Sequence, residues 1–374
     1  MANENLEQDS AGPTRPGGLA ASLSVLTAMV LAGVLVGAAA IMGFVGAFHA
    51  PQAHSLGIAV QTPPVTYNAI KGAAATAYGD AFKLQSVPSQ KEGDQLLRTR
   101  KVYGELVVLN SKTWVFKYAA PNGTQVNGVL AATFRPSNTA IDYSTSSLIP
   151  APTGDVTGLA VFFMTFACVL VGFLMGLVLT LGAAEESLVR RFLALLVASA
   201  ITGVLSIVLV AGAFHSLPGS GVAIVLQGLL VFSVGAFTML LGKLWRLWGL
   251  GLAALIMVVL GMVTSVSLFP PPYLTGTLRP FSALLPPGQA AFATTGHAYF
   301  SNDTFGRGLI GLILWSLLAV AVTFAVVQWR ERAPRPAAVD AVDLDDAAAD
   351  DKIAADADAD DDADSDKADA ELDD

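Results

Sequence analysis

Residues 19–48 read LAASLSVLTAMVLAGVLVGAAAIMGFVGAF and contain no charged side chain. About 20 apolar residues suffice for a helix to cross the hydrocarbon core of a bilayer, so this stretch predicts a first membrane-spanning helix. The rest of the chain has a similar character, since 53% of its 374 residues are hydrophobic and 14% are charged. Soluble domains carry roughly 25% charged residues, so the composition excludes a water-soluble globule for most of the chain.

Four more uncharged stretches follow, at residues 156–184, 192–242, 247–278 and 308–329. The second of them is too long for one span and contains the turn-forming sequence Ser216-Leu217-Pro218-Gly219-Ser220, so it predicts two helices, near 192–215 and 221–242. Pro270-Pro271-Pro272 ends the next helix. The predicted fold class is an α-helical polytopic membrane protein with six transmembrane helices, of which helices 2–6 lie within residues 155–330.

The cations near the predicted spans are distributed unequally between the two sides of the membrane. Only Arg279 and Arg307 flank the spans in the short outer loops. The other side carries Arg15, Arg190, Arg191, Lys243, Arg246, Arg330, Arg332 and Arg335. Because cytoplasmic loops are enriched in Lys and Arg, both termini are predicted to be cytoplasmic. Residues 1–18 then form a cytoplasmic N-terminal tail.

Residues 49–154 resemble a small soluble domain and are predicted to form an extracytoplasmic α/β domain between helices 1 and 2. Strands are predicted at Leu56–Gln61, 105–109 and 113–118, and helices at 64–82, 89–102 and 125–134. The side chains of Trp114, Phe116 and Tyr118 share one face of their strand, as part of the core or as a ligand platform. The domain carries nine cations and five anions, fewer charges than a nucleic-acid partner requires.

The C-terminal segment differs in composition from everything before it. Of the 30 acidic residues in the chain, 17 lie in residues 340–374, alternating with alanine. Their mutual repulsion and the lack of bulky apolar residues predict a disordered acidic cytoplasmic tail over residues 331–374. Two roles stay open for the tail, a solvated, solubilising segment or an electrostatic tether for a basic partner.

The outer loop at residues 270–307 is rich in proline, alanine and phenylalanine. Pro286 and Pro287 predict the start of a re-entrant or interfacial helix over 287–300. Two roles stay open for this helix: an outer gate that lines a transport path, or a passive cap that packs over the helix bundle. The gate candidates are Pro286, Pro287, Gly288, His297, Tyr299 and Phe300.

Two glycine pairs have the small-xxx-small spacing that lets membrane helices approach closely. They are Gly33 with Gly37 and Gly172 with Gly176. These helix-packing candidates serve either contacts within the chain or the interface of a homo- or hetero-dimer.

The sequence offers no catalytic, cofactor-binding or metal-binding constellation, so an enzyme is not predicted. Cys168 is the single cysteine, which rules out a disulfide framework and a cysteine-based metal cluster. No Asp, Glu, Lys or Arg lies within a predicted span. Carriers driven by an ion gradient keep an ionisable group near the membrane midplane, so any transport here is expected to draw its energy from outside the helices.

Three motifs resemble known sequences: RTRKVYGELVVLN at 98–110, LIPAPTGDVTGLAVFF at 148–163 and LLPPGQAAFATTGHAYF at 284–300. Their order and spacing are similar to those of the YhgE/Pip group of bacterial membrane proteins, in the type-2 ATP-binding-cassette permease superfamily. The resemblance covers residues 20–330. It implies a bacterial cytoplasmic-membrane protein that pairs into a twelve-helix assembly and works with a separate ATP-binding subunit.

The sequence thus favours a permease-like subunit of an exporter for an apolar or amphiphilic molecule. The alternative is a non-transporting scaffold, or a secretion or envelope accessory protein, that binds a partner through its outer domain. The short inner loop Ala183 to Arg191 favours the alternative because it is too short for a large coupling helix.

Overall fold

A computed structural model describes residues 17–48, 52–265 and 269–332. Nearly all of the predicted N-terminal tail and of the predicted acidic tail lies outside these ranges. The chain begins with the long helix α1, Gly17–Phe48. The described residues through Phe324 form one compact unit, and a second unit begins at Ala325.

Residues 52–154, here called the sheet region, form a five-stranded sheet with three helices. The strands are β1 (Leu56–Gln61), β2 (Phe82–Ser86), β3 (Gly104–Asn110), β4 (Thr113–Ala119) and β5 (Asp142–Ile149), in the order β2-β1-β3-β4-β5. The helices are α2 (Pro64–Tyr78), α3 (Gln90–Arg98) and α4 (Thr124–Thr133). Only β3 and β4 pair antiparallel, and each parallel pairing is reached through one of the helices, as parallel strands require.

The sequence-based prediction of β1 and of the β3–β4 hairpin is confirmed, but β2 and β5 were missed. The predicted helix 64–82 was wrong in its last turn, since α2 ends at Tyr78 and β2 begins at Phe82. The predicted helix 89–102 was too long, since α3 ends at Arg98. Both missed strands lie at the edges of the sheet and are largely exposed. Edge strands bury little, so their sequence signal is weak: β5 lacks the apolar alternation by which strands are recognised, and in β2 the alternation extends over only five residues.

The core of the sheet region includes the aromatic face of β4. Phe116 is fully buried, and Trp114 and Tyr118 pack against the same cluster. The Phe116 ring also stacks on the Phe134 ring, with centroids 5.8 Å apart. This packing favours the core interpretation of the three aromatic residues over a ligand platform.

Seven α-helices follow in the described residues, and four of them are longer and more apolar than the helices of the sheet region. The seven are α5 (Ala160–Leu181), α6 (Leu188–Ile207), α7 (Gly221–Ala253), α8 (Gly261–Val263), α9 (Arg279–Leu284), α10 (Pro286–Tyr299) and α11 (Phe305–Arg332). Four helical segments of the described chain are long and apolar enough to cross a bilayer, which indicates a membrane protein. These segments are Ala160–Leu181, Leu188–Ala213, Gly221–Val263 and Phe305–Arg332. The count of six spans stays a prediction.

The segment Gly221–Val263 contains a break at which the chain turns back. Trp245 and Arg246 leave the helical conformation, and Arg246 has a φ of 51°. On the two sides of the break, Gln227 and Gly261 both contact α10, at Thr294 and Pro287. In a straight helix these two residues would be about 50 Å apart, so the two halves of the segment run back alongside each other.

Helices α5 and α7 approach until their backbones touch. A Cβ atom added to Gly172 would lie 2.6 Å from the Val231 carbonyl oxygen. One added to Gly176 would lie 2.6 Å from the Gly235 oxygen. The structure therefore places this glycine pair in a contact within the chain. Gly33 and Gly37 lie on an open face of α1, where an added Cβ would meet nothing within 4 Å.

A buried charge cluster lies beside the central strands of the sheet. The Lys117 ammonium is 2.6 Å from an Asp94 oxygen and 3.6 Å from a Glu105 oxygen. The Glu105 side chain is completely buried. Burial raises the pKa of Glu105 to about 8, the Asp94 carboxyl also raises it, and the Lys117 ammonium opposes the shift.

We expect Gly176→Ala to destabilise the protein by about 1–3 kcal/mol, because the methyl group would push α5 away from α7. Gly251→Ala is the matched control, since an added Cβ there meets nothing within 4 Å and alanine favours a helix. Thermal unfolding of the purified proteins in detergent measures the stability of both variants. Equal melting temperatures for the two variants would contradict the close contact.

We expect Glu105→Gln to flatten the pH dependence of stability. Since the pKa of Glu105 is raised from 4.5 to about 8 on folding, the folded state binds the extra proton between these values. Stability then falls as the pH rises through this window. The melting temperature between pH 5 and 8 should therefore decline less in Glu105→Gln than in the original protein. The exposed Glu185→Gln should keep the original slope, and an unchanged slope in Glu105→Gln would contradict the assignment.

Candidate functional site

Helix α10 lies where the sequence predicted a helix in the outer loop. It begins at Pro286, preceded by Leu285 in an extended conformation, and ends at Tyr299. Proline is favoured in the first turn of a helix because its missing N–H has no partner there in any case. The prolines therefore act at the N-terminus as predicted, while the re-entrant placement stays a prediction.

Helix α10 joins the sheet region to the long helices. Ala290 and Ala293 are buried in one cluster with residues of α5, α7 and α11. At the other end, Phe300 is fully buried among core residues of the sheet region, including Leu97, Val102 and Ile149. We call this arrangement, α10 together with Phe300, the sheet–helix junction.

The gate candidates all belong to this junction. Pro286, Pro287, Gly288 and Phe300 are buried, so none of these four faces solvent. An added Cβ on Gly288 would lie 2.0 Å from the Ser282 carbonyl oxygen, so a glycine is needed where α9 and α10 meet. The structure thus brings the candidates together in a packed joint, and their role as a gate stays a prediction.

His297 and Tyr299 occupy the half-buried side of the junction. The His297 Nε2 atom lies 2.9 Å from the Ser220 hydroxyl at the start of α7, and its Nδ1 atom lies 2.6 Å from the Asn302 side-chain oxygen. The ring therefore ties α10 to α7. Tyr299 packs against the cores on both sides of the junction, and its buried hydroxyl has no partner among the described residues.

Arg100 is the site residue that the sequence reasoning missed. Its guanidinium lies over the Phe300 ring, 3.9 Å from the centroid, and 5.7 Å from the centroid of Phe292. Its backbone has a φ of 53°, an uncommon conformation for a residue other than glycine. Burial lowers the pKa of Arg100 and raises that of neighbouring Tyr103 to about 12. The first of the three motifs contained Arg100, but only the fold places it against α10.

Two cavities adjoin Arg100. The smaller, about 30 Å³, is lined by Asn122, Asp155 and Tyr299 and is large enough for a water molecule. The larger, about 310 Å³, lies between the sheet region and the segment from α9 to the first turn of α11. We call it the arginine cavity, because Arg100, Arg279 and Arg307 line it together with Asp303, Gln289 and Thr304.

A third space lies between α5 and α6, and we call it the apolar groove. Its volume is about 400 Å³. Its main lining side chains are Phe163, Met164, Val171, Leu205, Leu209 and Phe214. The hydroxyl groups of Thr202 and Ser206 also line it, but each donates to a carbonyl of its own helix, so the groove presents mainly hydrocarbon.

Comparison of the chain with family models, with curated proteins and with solved structures finds no match. The resemblance to the YhgE/Pip group therefore stays a prediction from the three motifs. The described residues contain no group of three side chains suited to hold a metal ion. What the structure offers is a packed junction, an arginine cavity and an apolar groove.

We expect Phe300→Ala to destabilise the protein by about 3 kcal/mol, because it empties a fully buried site and removes the ring under Arg100. Phe281→Ala is the matched control, since that ring is already 36% exposed. Thermal unfolding and limited proteolysis of the sheet region measure the two variants. Equal protease resistance would show that Phe300 does not hold the junction together.

Proposed function

We propose that this chain is the permease-like subunit of an exporter that moves an apolar or amphiphilic molecule across a bacterial plasma membrane, with energy from a separate ATPase. The observation that carries the proposal is the apolar groove, a space of about 400 Å³ between two membrane helices. A groove with this lining is suited to a hydrocarbon chain, because it buries apolar area and leaves no polar group without a partner.

The groove lies at the end of α5 and α6 that adjoins the sheet region. Gly154, at the end of the sheet region, packs against the backbone of Phe214 and the hydroxyl of Ser216. The π-helical segment Val208–Ala213 continues α6 at this end, and Leu209 and Val210 within it line the groove. Such segments are frequent at functional sites because they displace side chains from their regular helical positions. A molecule in the groove would therefore be next to the sheet–helix junction.

The distribution of charges supports an external source of energy. In the described parts of α5, α6, α7 and α11, the charged side chains lie at helix ends or at the break in α7, as in Arg190, Lys243, Arg246 and Arg307. Coupling to a proton or sodium gradient normally uses an ionisable group near the midplane. A nucleotide-hydrolysing partner fits this chain better.

The proposal includes six membrane crossings with both termini in the cytoplasm and the sheet region outside. The reversal of the chain at Trp245 and Arg246 supports two crossings within Gly221–Val263. It also includes pairing with a second permease subunit, for which Gly33 and Gly37 on the open face of α1 are the candidates. The sheet–helix junction would then transmit movement between the helices and the outer domain.

The alternative is a scaffold that binds a partner through its sheet region. One observation favours it: the connection between α5 and α6 consists of residues 182–187 and contains no helix. A permease usually offers its ATPase a longer inner element. The chain would then serve as a membrane anchor with a rigidly attached outer domain.

In the decisive experiment, the tagged full-length chain is purified from its native membrane in mild detergent. It is then reconstituted in liposomes together with the proteins that co-purify with it. We expect one of them to hydrolyse ATP, and a fluorescently labelled phospholipid to change leaflet only when ATP is present. Ala167→Trp should remove most of this activity by filling the apolar groove.

Leu174→Trp is the matched control, because Leu174 is 51% exposed on the same helix and does not line the groove. It should keep the original activity. Movement driven by a proton gradient alone would overturn the proposal. A partner that binds the sheet region without hydrolysing ATP, with no lipid movement, would establish the scaffold instead.

A further inference from the structure

The arginine cavity carries a positive charge that the protein itself leaves largely unbalanced. Three arginines line it, Arg100, Arg279 and Arg307, against one acid, Asp303. None of these three guanidinium groups takes part in the ion pairs seen among the described residues, which involve Lys117 and Arg190. The side chains that line this partly enclosed cavity therefore have an excess of two positive charges.

Two of the arginines point unsatisfied donors into buried surroundings. The Nε atoms of Arg100 and Arg279 are both buried and have no hydrogen-bond partner in the described part of the chain. Leaving a charged donor desolvated and unpaired is costly, so buried arginines are normally matched by an anion. The pKa of Arg100 is lowered for the same reason, because burial destabilises its charged form.

Arg100 is held in this position by the sheet–helix junction. Its guanidinium lies over the Phe300 ring, and its backbone takes a left-handed conformation that is uncommon for residues other than glycine. This left-handed conformation closes the C-terminus of α3, where the Arg100 N–H donates to the Leu97 carbonyl and the Lys101 N–H donates to the Leu96 carbonyl. Arg279 lies at the first position of α9 and Arg307 in the first turn of α11, so three separate elements converge on one space.

We propose that the arginine cavity binds a phosphate group, and that this phosphate belongs to the headgroup of the amphiphilic molecule. Guanidinium groups bind phosphate oxygens through paired N–H donors, and a phosphate monoester carries close to two negative charges near neutral pH. That charge matches the excess in the cavity. The volume of about 310 Å³ leaves room for further headgroup atoms beside the phosphate.

The position of the cavity identifies the source of the phosphate as a lipid-like molecule. Arg307 and Gly308, which line it, stand in the first turn of α11, one of the four helices suited to cross a membrane. A phosphate bound there would be at headgroup depth, with its apolar part free to enter the bilayer. This identification of an amphiphile rests on the proposed function, whereas the phosphate site itself follows from the three arginines.

The test measures equilibrium binding to the purified full-length chain in detergent, without any ATPase. The probes are short-chain phosphatidic acid, short-chain phosphatidylcholine and inorganic phosphate at constant ionic strength, each followed by the shift in melting temperature. Phosphatidic acid should stabilise the protein saturably and bind more tightly than the other two.

Arg279→Gln and Arg307→Gln should each weaken this binding by about tenfold or more, since each removes charged hydrogen bonds to the phosphate. Arg307 is exposed, so its substitution keeps the test valid even if Arg279→Gln fails to fold. Arg98→Gln is the matched control, an exposed arginine of α3 outside the cavity, and should bind normally.

The outcomes separate the two parts of the proposal. Equal affinity for inorganic phosphate and phosphatidic acid would overturn the lipid headgroup, and binding that neither variant weakens would overturn the site. Because no ATPase takes part, failure here leaves the proposed export function standing. Failure of ATP-driven lipid movement would likewise leave the phosphate site standing.

Discussion

The contact between Phe300 and the core of the sheet region is the constraint on which the rest of the structure depends. A sheet linked to membrane helices only by its chain ends would move independently of them. Here an aromatic side chain at the end of α10 is fully buried in that sheet, while the alanines of the same helix are buried among α5, α7 and α11. Burial at both ends makes α10 a rigid connection.

The same contact organises the polar chemistry. Arg100 can stay partly desolvated at the junction because the Phe300 ring supports its charge and the surrounding segments close over it. Below the junction the helices pack through small residues, with Gly172 and Gly176 against the α7 backbone. The molecule therefore separates a cationic space at the junction from a hydrocarbon groove in the helices. An amphiphile has this same separation of charge from hydrocarbon.

The sequence allowed several elements to be predicted because each has a local cause. Ser89 begins α3 by accepting a hydrogen bond from the Glu92 N–H, and the prolines begin α10. The edge strands β2 and β5 escaped prediction because β2 is only five residues long and β5, which is mostly exposed, follows no apolar alternation. The site was predicted only in part: the α10 residues were named, but Arg100, Arg279 and Arg307 were not grouped, since charged residues far apart in sequence give no local signal.

What the sequence determined by itself is that several segments are suited to lipid rather than water, because long uncharged stretches are stable as helices in lipid and charged ones are not. What only the tertiary structure decided is which residues meet. The direction in which the chain leaves the break at Trp245 and Arg246, and the packing of Phe300 beside Arg100, depend on contacts between distant segments. Such contacts are selected by shape and burial across the whole fold, and no local pattern of residues encodes them.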